Sequence, residues 1–256
     1  MTAPTRAVPT TDLRPGLTGR VRESFDKAAR RYDLMVALNP GYHRHLRQAA
    51  TALIEKLPAG RSLRLADLGC GSGASTRALL DSHPAPDRVE IVGVDASSGM
   101  LAEAAAKSWP AGVSFHHGLA EDVAVRRAEW GLGRLRDGVL AAYLFRNVAD
   151  RDATLAAVHA VIRPGGYLVT QEYSVADRPA ARRVFSLVCW LVVIPLSLLT
   201  SGRSSIYRYL WQSVLDFDSV ERFCERLTRA GFVDVEVRTV GGWQRNILHT
   251  FRARRP

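Results

Sequence analysis

Two short runs constrain this chain more than anything else in it. LRLADLG (63–69) and VEIVGVD (89–95) are rich in β-formers, each closes on an aspartate or just past one, and each leads directly into a helical pattern, SGASTRALLDS and SGMLAEAAAKS. VSFHHG (113–118), DGVLAAYLF (137–145) and GYLVTQEYS (166–174) continue the alternation. Strand–helix alternation of this kind specifies an α/β fold, a doubly wound, mostly parallel sheet covered on both faces, with ligands at the carboxyl ends of its strands. At 256 residues and 47% hydrophobic content the chain can bury a full core, and one domain over 20–256 is expected. Residues 1–19 lack apolar periodicity and read as a tail; 20–57 read as a helical cap of two helices broken at Pro40-Gly41.

Composition narrows the class. The start carries no signal-peptide pattern, and Cys70, Cys189 and Cys224 are scattered, which points to a cytoplasmic protein without disulfides or a metal site. A net charge of +10, nearly all from arginine, suits an anionic surface and equally an ordinary solvated one. No nucleic-acid motif accompanies it, so nucleic acid is not an expected partner.

LADLGCGSGAST sets Asp67 at a strand end, then Gly69, Gly71 and Gly73, then a helix. Glycines admit a ligand close to the backbone, and the helix start offers free N–H groups. The loop alone also fits the G-x-G-x-x-A dinucleotide pattern, and Asp95 suits the ribose of either cofactor. Asp67 before the first glycine, the G-x-G-x-G spacing and the later R-P-G-G turn (163–166) resemble the class I S-adenosylmethionine-dependent methyltransferases, with their Rossmann-like fold. The resemblance implies S-adenosylmethionine as cofactor, held by Tyr32, Asp67, Gly69, Cys70, Gly71, Gly73, Asp95, Ala96, Met100, Ala120 and Glu121. Leu119 stands where the class usually has an acidic residue for the adenine, so Glu121 or Asp122 and the Ala120 N–H are the remaining candidates; a solvated acidic turn is the alternative.

The following stretch is more specific. LFRNVADRDATLAAVHAVIRPGGYLVTQEYS resembles the ubiquinone/menaquinone biosynthesis C-methyltransferase family in its R-N-V-x-D, R-P-G-G and strand segments. SFDKAARRYDLM (24–35), GYHRHLR (41–47), SSIYRYLWQSVLDF (204–217) and the closing ILHTFRARRP agree in the same order. The chain departs from that pattern at VALNP after Tyr32-Asp33-Leu34-Met35, at Leu144-Phe145 where the family reads G-L or G-I before R-N, with Phe145 taken as the glycine replacement, and in the long 121–137 segment containing Arg126, Arg127 and Trp130. All three are expected near the acceptor.

The resemblance implies carbon methylation of a prenylated quinol such as demethylmenaquinol. A sulfonium methyl needs no acid catalyst; the enzyme must align a nucleophilic carbon and stabilise its charge. Arg146 and Asn147, just past an apolar strand, are candidates to stabilise and orient a phenolate, and His43 to take the ring proton. The structural alternative pairs Arg146 with Asp150 or Asp152. Phe145, Tyr207 and Tyr209 are candidate acceptor-lining residues; His116-His117 lack metal-ligand spacing.

One apolar run, VFSLVCWLVVIPLSLLT (184–200), is too short and too broken by Pro195 to span a bilayer. With arginines on both sides it reads as a helical lid (about 178–215) that admits a hydrophobic acceptor and touches the membrane periphery, a homodimer interface being the competing use. Two rival functions remain: methylation at carbon or oxygen of a polyketide, terpenoid or other specialised metabolite, and a scaffold or cyclase that binds cofactor without transfer.

Overall fold

The computed structural model describes residues 41–195 and 205–256, with the backbone alone at 205 and 206. The tail, the SFDKAARRYDLM segment with Tyr32, and residues 196–204 lie outside the described residues. In chain order the elements are α1 (Tyr42–Ile54), β1 (Leu63–Leu68), α2 (Ala74–Ser82), β2 (Val89–Asp95), α3 (Ser98–Ala105), β3 (Val113–His117), β4 (Arg136–Ala142), α4 (Arg151–Val161), β5 (Ile162–Tyr173), α5 (Pro179–Val188), α6 (Ser205–Leu215), α7 (Val220–Arg229), β6 (Val233–Thr239) and β7 (Leu248–Arg254).

The strands form one sheet in the order β3-β2-β1-β4-β5-β7-β6. β1 to β5 are parallel and β7 runs antiparallel between β5 and β6. The doubly wound expectation holds, and the two antiparallel strands at the far edge complete it. The order reverses between β1 and β4, which is where such sheets open a crevice for ligands. R-P-G-G is not a separate turn: β5 starts at Ile162, and its register against β4 shifts between Arg136 and Gly138.

Alternate residues of each strand feed opposite cores. Leu65 and Leu140 pack with Leu46, Leu53 and Leu79 beneath α1 and α2. Ala66, Leu68, Val139 and Ala141 join Val158, Phe223 and Phe251 under α4 and α7. Phe223 is wholly buried with its ring 4.9 Å from Phe251 and 5.4 Å from Phe145, so truncating it should cost roughly 3–5 kcal/mol of stability. Helix starts are set by side-chain caps: Ser97 on α3, Asp150 on α4 and Ser219 on α7 each accept a backbone N–H of the first turn.

The end of the sheet opposite the crevice is stapled by charge. Asp137, at the start of β4, accepts the Arg64 N–H at 2.7 Å, Arg163 Nε at 2.7 Å and the Arg61 guanidinium, tying β1, β4 and β5 together.

Candidate active site

Residues 69–73 turn β1 into α2, and all three glycines hold positive φ, at 72°, 53° and 89°. At Gly73 a Cβ would come 2.7 Å from the Trp109 ring, and at Gly71 one would come 3.1 Å from Met100 Cε, so the loop is closed to side chains from within. Asp67 lies wholly buried below it. Its Oδ2 accepts the Ser75 and Thr76 hydroxyls at 2.7 and 2.6 Å, while Oδ1 has no partner among the described residues. Burial raises its pKa to about 6, the two hydroxyl bonds pulling the other way. Asp95 closes β2 and accepts the Gly71 N–H at 2.8 Å and the Ser97 N–H at 2.8 Å. Glycine loop and acid are thus one unit, joined across the neighbouring strands β1 and β2.

Around that unit Cys70 is buried, Met100 packs against Gly71, and the Ala96 carbonyl accepts His117 Nε2 at 3.0 Å. Ala120 and Glu121 begin a single helical turn after β3; Glu121 accepts the Ala149 N–H at 3.4 Å, and burial raises its pKa. Of the anticipated cofactor set, only Tyr32 falls outside the described residues.

The neighbouring loop leaves β4 at Tyr143, whose φ of 60° is a conformation that costs a bulky residue about 1–3 kcal/mol and marks a constrained site. Tyr143 stacks between Tyr42 of α1 (centroids 5.7 Å) and Tyr173 of β5 (5.4 Å), and Tyr173 meets Phe185 of α5 at 5.6 Å. The Arg146 guanidinium lies over this aromatic wall, 5.3 Å from the Tyr143 ring and 6.0 Å from that of Tyr173. Asn147 donates from Nδ2 to the Tyr143 carbonyl at 2.9 Å and accepts Tyr209 Oη from α6 at 3.0 Å. His43 is exposed at the start of α1, edge-on to Tyr42 with centroids 5.4 Å apart. Tyr207 is half-buried on α6.

Several expectations need correction. Phe145 does not join this aromatic wall: its ring is wholly buried in the core against Phe223, and only its backbone serves the loop, through its N–H to Glu172 and its carbonyl to Arg151. Set letter against letter, it is Leu144 rather than Phe145 that falls on the family's glycine, and Leu144 Cδ1 packs where a Gly69 Cβ would stand, 3.1 Å away. Trp130 likewise belongs to the core, under Gly118. Arg146 pairs with neither Asp150, which caps α4, nor Asp152, which pairs with Arg226. Its partner is Glu172 of β5, with Nη1 3.1 Å from Oε2. Glu172, Tyr143 and Tyr42 were missed in the sequence; a carboxylate inside the β-rich run GYLVTQEYS, whose residues 168–173 are all buried, was the available signal for Glu172.

Fold and site together define a class I S-adenosylmethionine-dependent methyltransferase. A parallel sheet with the glycine loop after β1, an acid after β2 that accepts the loop's own N–H, and a buried acid with an open oxygen beneath the loop fit the cofactor. The chain belongs to the ubiE/COQ5 methyltransferase family, whose model matches residues 16–249. Among relatives, it is 34% identical to the demethylmenaquinone methyltransferase of Deinococcus radiodurans, over 83% of this chain and 84% of that one. It is 31% identical to the ubiquinone/menaquinone biosynthesis C-methyltransferase UbiE of Methylobacterium nodulans, over 88% and 87%. Solved structures share the fold: the methyltransferase in complex with Trm112 from Haloferax volcanii superposes with a TM-score of 0.58 at 18% identity, covering 94% of this chain and 98% of that one. A Thermotoga maritima methyltransferase gives 0.56 at 18%, covering 93% and 100%.

Proposed function

We propose that the enzyme methylates a ring carbon of a prenylated quinol of the demethylmenaquinol type. The observation that carries this is Arg146, a cation at the carboxyl end of β4 lying over an aromatic wall, in a chain whose relatives carry that activity in their names. S-adenosylmethionine, when bound, supplies a methyl group on a positive sulfur that leaves as a neutral thioether. The chain's own residues do the rest. The edge of the Tyr42–Tyr143–Tyr173 stack walls a flat ring, and Arg146 stabilises the phenolate that makes the ortho carbon nucleophilic, which it does best where water is kept out. Asn147, pinned between the Tyr143 carbonyl and Tyr209, orients that oxygen. The new carbon–carbon bond leaves an extra ring proton; its loss to a base, for which His43 beside Tyr42 is the candidate, restores the aromatic ring.

α5 and α6 form the lid over this cavity. Trp211 Nε1 donates to Ser186 Oγ at 3.0 Å and the Trp190 and Trp211 rings meet edge to face, which joins the two helices. The helix of α5 runs on as a π turn over Cys189–Val193 ahead of Pro195, which has no N–H to continue the regular ladder. Val184, Leu187, Trp190, Leu191 and Val192 stand exposed there, beside exposed Arg182, Arg183 and Arg208. No helix among the described residues is long and apolar enough to cross a membrane. The reading is a lid that touches an anionic bilayer while the prenyl tail enters beneath it; a dimer through this face is the competing use.

Leu144 favours a second reading. Its side chain against Gly69 narrows the space between cofactor loop and acceptor, so a smaller polyketide or terpenoid acceptor, methylated at carbon or oxygen, is the rival. The test is mass spectrometry of enzyme, S-adenosylmethionine and reduced demethylmenaquinone in detergent micelles. A quinol heavier by one methyl group supports the first reading; cofactor binding without that product supports the rival.

A further inference from the structure

We infer that Glu172 is a positioning residue for the methyl transfer: sealed beneath the β4–α4 loop, its carboxylate holds the Arg146 guanidinium and the loop backbone in the arrangement that faces the acceptor. The inference rests on the reading that Arg146 stabilises the acceptor oxygen.

Both oxygens of Glu172 are committed to that one loop. Oε1 accepts the Phe145 N–H at 2.6 Å and Oε2 accepts Arg146 Nη1 at 3.1 Å. The carboxylate side chain is 0% exposed and that of Arg146 9% exposed, so neither charge is shared with bulk water. Taking two ions out of water costs several kcal/mol each, and a close apolar pair of the same volume is often the more stable choice. A sealed pair at the crevice therefore needs a reason other than stability. Its geometry supplies one: the guanidinium lies across the end of β5, fixed from below by Glu172 and flanked by Tyr143 and Tyr173, leaving its position set before an acceptor arrives.

The surroundings make Arg146 the cation that answers this carboxylate. Tyr209 approaches from α6, feeling both Arg146 and Glu172, and burial raises its pKa. Arg151, at the start of α4, donates Nε to the Phe145 carbonyl at 3.1 Å and lies 3.7 Å from Asp218. His249 stands opposite Glu172 in the β5–β7 register, flanked by Asp177 and Arg178; burial lowers its pKa to about 4, so it is neutral near pH 7. Burial raises the Glu172 pKa to about 7, against the opposing pull of Arg146 and the loop N–H groups. Protonation would then release the guanidinium in the working range of pH.

The experiment is the pH dependence of kcat for the full chain with saturating S-adenosylmethionine and reduced demethylmenaquinone in micelles, in the parent, Glu172→Gln, Arg146→Ala and the double variant. Parent kcat should climb through about pH 7. Glu172→Gln should lose that climb and fall about tenfold at pH 8, with cofactor affinity within about twofold of the parent by calorimetry. The double variant should be no slower than Arg146→Ala alone, because Glu172 acts through Arg146. A climb retained by Glu172→Gln, or a double variant slowed by the product of the single effects, overturns the inference. If glutamine abolishes cofactor binding, Glu172→Asp carries the test: the climb should persist with a lower plateau, and a parental plateau overturns it. Unchanged turnover in Arg146→Ala would instead overturn the reading beneath, whereas a slow Arg146→Ala beside a parental Glu172→Gln overturns this inference alone.

Discussion

Two buried carboxylates, Asp137 and Glu172, sit at opposite ends of the same pair of strands and use arginine differently. Asp137, at the start of β4, gathers donors from the starts of β1 and β5, and its partners Arg61 and Arg163 remain 47% and 31% exposed. Glu172 holds one loop and one arginine that is itself enclosed. Where cations reach water and donors come from several strands, the carboxylate is a staple for the sheet. Where a single enclosed pair lies against an aromatic wall, the proposed function keeps its charge for chemistry. On the proposed function, stability and catalysis fall at separate ends of the parallel strands, as the crevice geometry of such sheets allows.

The contrast can be broken most forcefully at Arg146. Arg146→Ala is expected to lower turnover at least about a hundredfold, roughly 2.7 kcal/mol of barrier, with S-adenosylmethionine affinity unchanged; steady-state kinetics and calorimetry check both. At the other end, Asp137→Ala should remove roughly 2–3 kcal/mol of stability in urea unfolding, leaving the Arg64 N–H and two cations unanswered, while turnover per folded molecule stays parental. A variant that slowed catalysis as much as it destabilised would erase the division.

A smaller effect sharpens it through pH. Glu172 binds its proton more tightly folded than unfolded, so its contribution to stability is most favourable at and below about pH 4.5, declines as pH rises to about 7, and is flat above. Glu172→Gln removes that decline, so its stability relative to the parent should rise by on the order of 2–3 kcal/mol between those limits. Asp67, raised to about 6, declines similarly in both proteins, and His249, lowered to about 4, opposes it by gaining stability from about pH 4 to 6.5, so the difference between variant and parent is the quantity to follow. A constant difference in melting temperature across pH 4.5–7 would refute the claim. The smallest change is at the lid: Tyr209→Phe deletes the hydrogen bond to Asn147 and should cost about 1 kcal/mol of turnover, near fivefold, without altering cofactor binding.

Much of this was legible beforehand. Strand–helix alternation, the Asp67 to Gly73 loop and Asp95 depend on neighbours in sequence, because glycine conformation and strand ends are local properties. They determined the fold class and the residues proposed to hold the cofactor, and the R-N pair pointed to the proposed acceptor side. The partners of that pair were not legible. Arg146 had acids four and six residues away in Asp150 and Asp152, yet it pairs with Glu172, 26 residues on, because parallel pairing of β4 with β5 brings the two strand ends side by side. Phe145 and Trp130, expected near the acceptor because they lie where the chain departs from the family pattern, belong to the core: the turn at Tyr143 directs Phe145 inward, and Trp130 packs under Gly118. The sequence by itself determined which chemical groups the crevice carries. Only tertiary structure decided which of them face each other, because a cation's partner is chosen by strand register and exclusion of water, and neither is written in the distance along the chain.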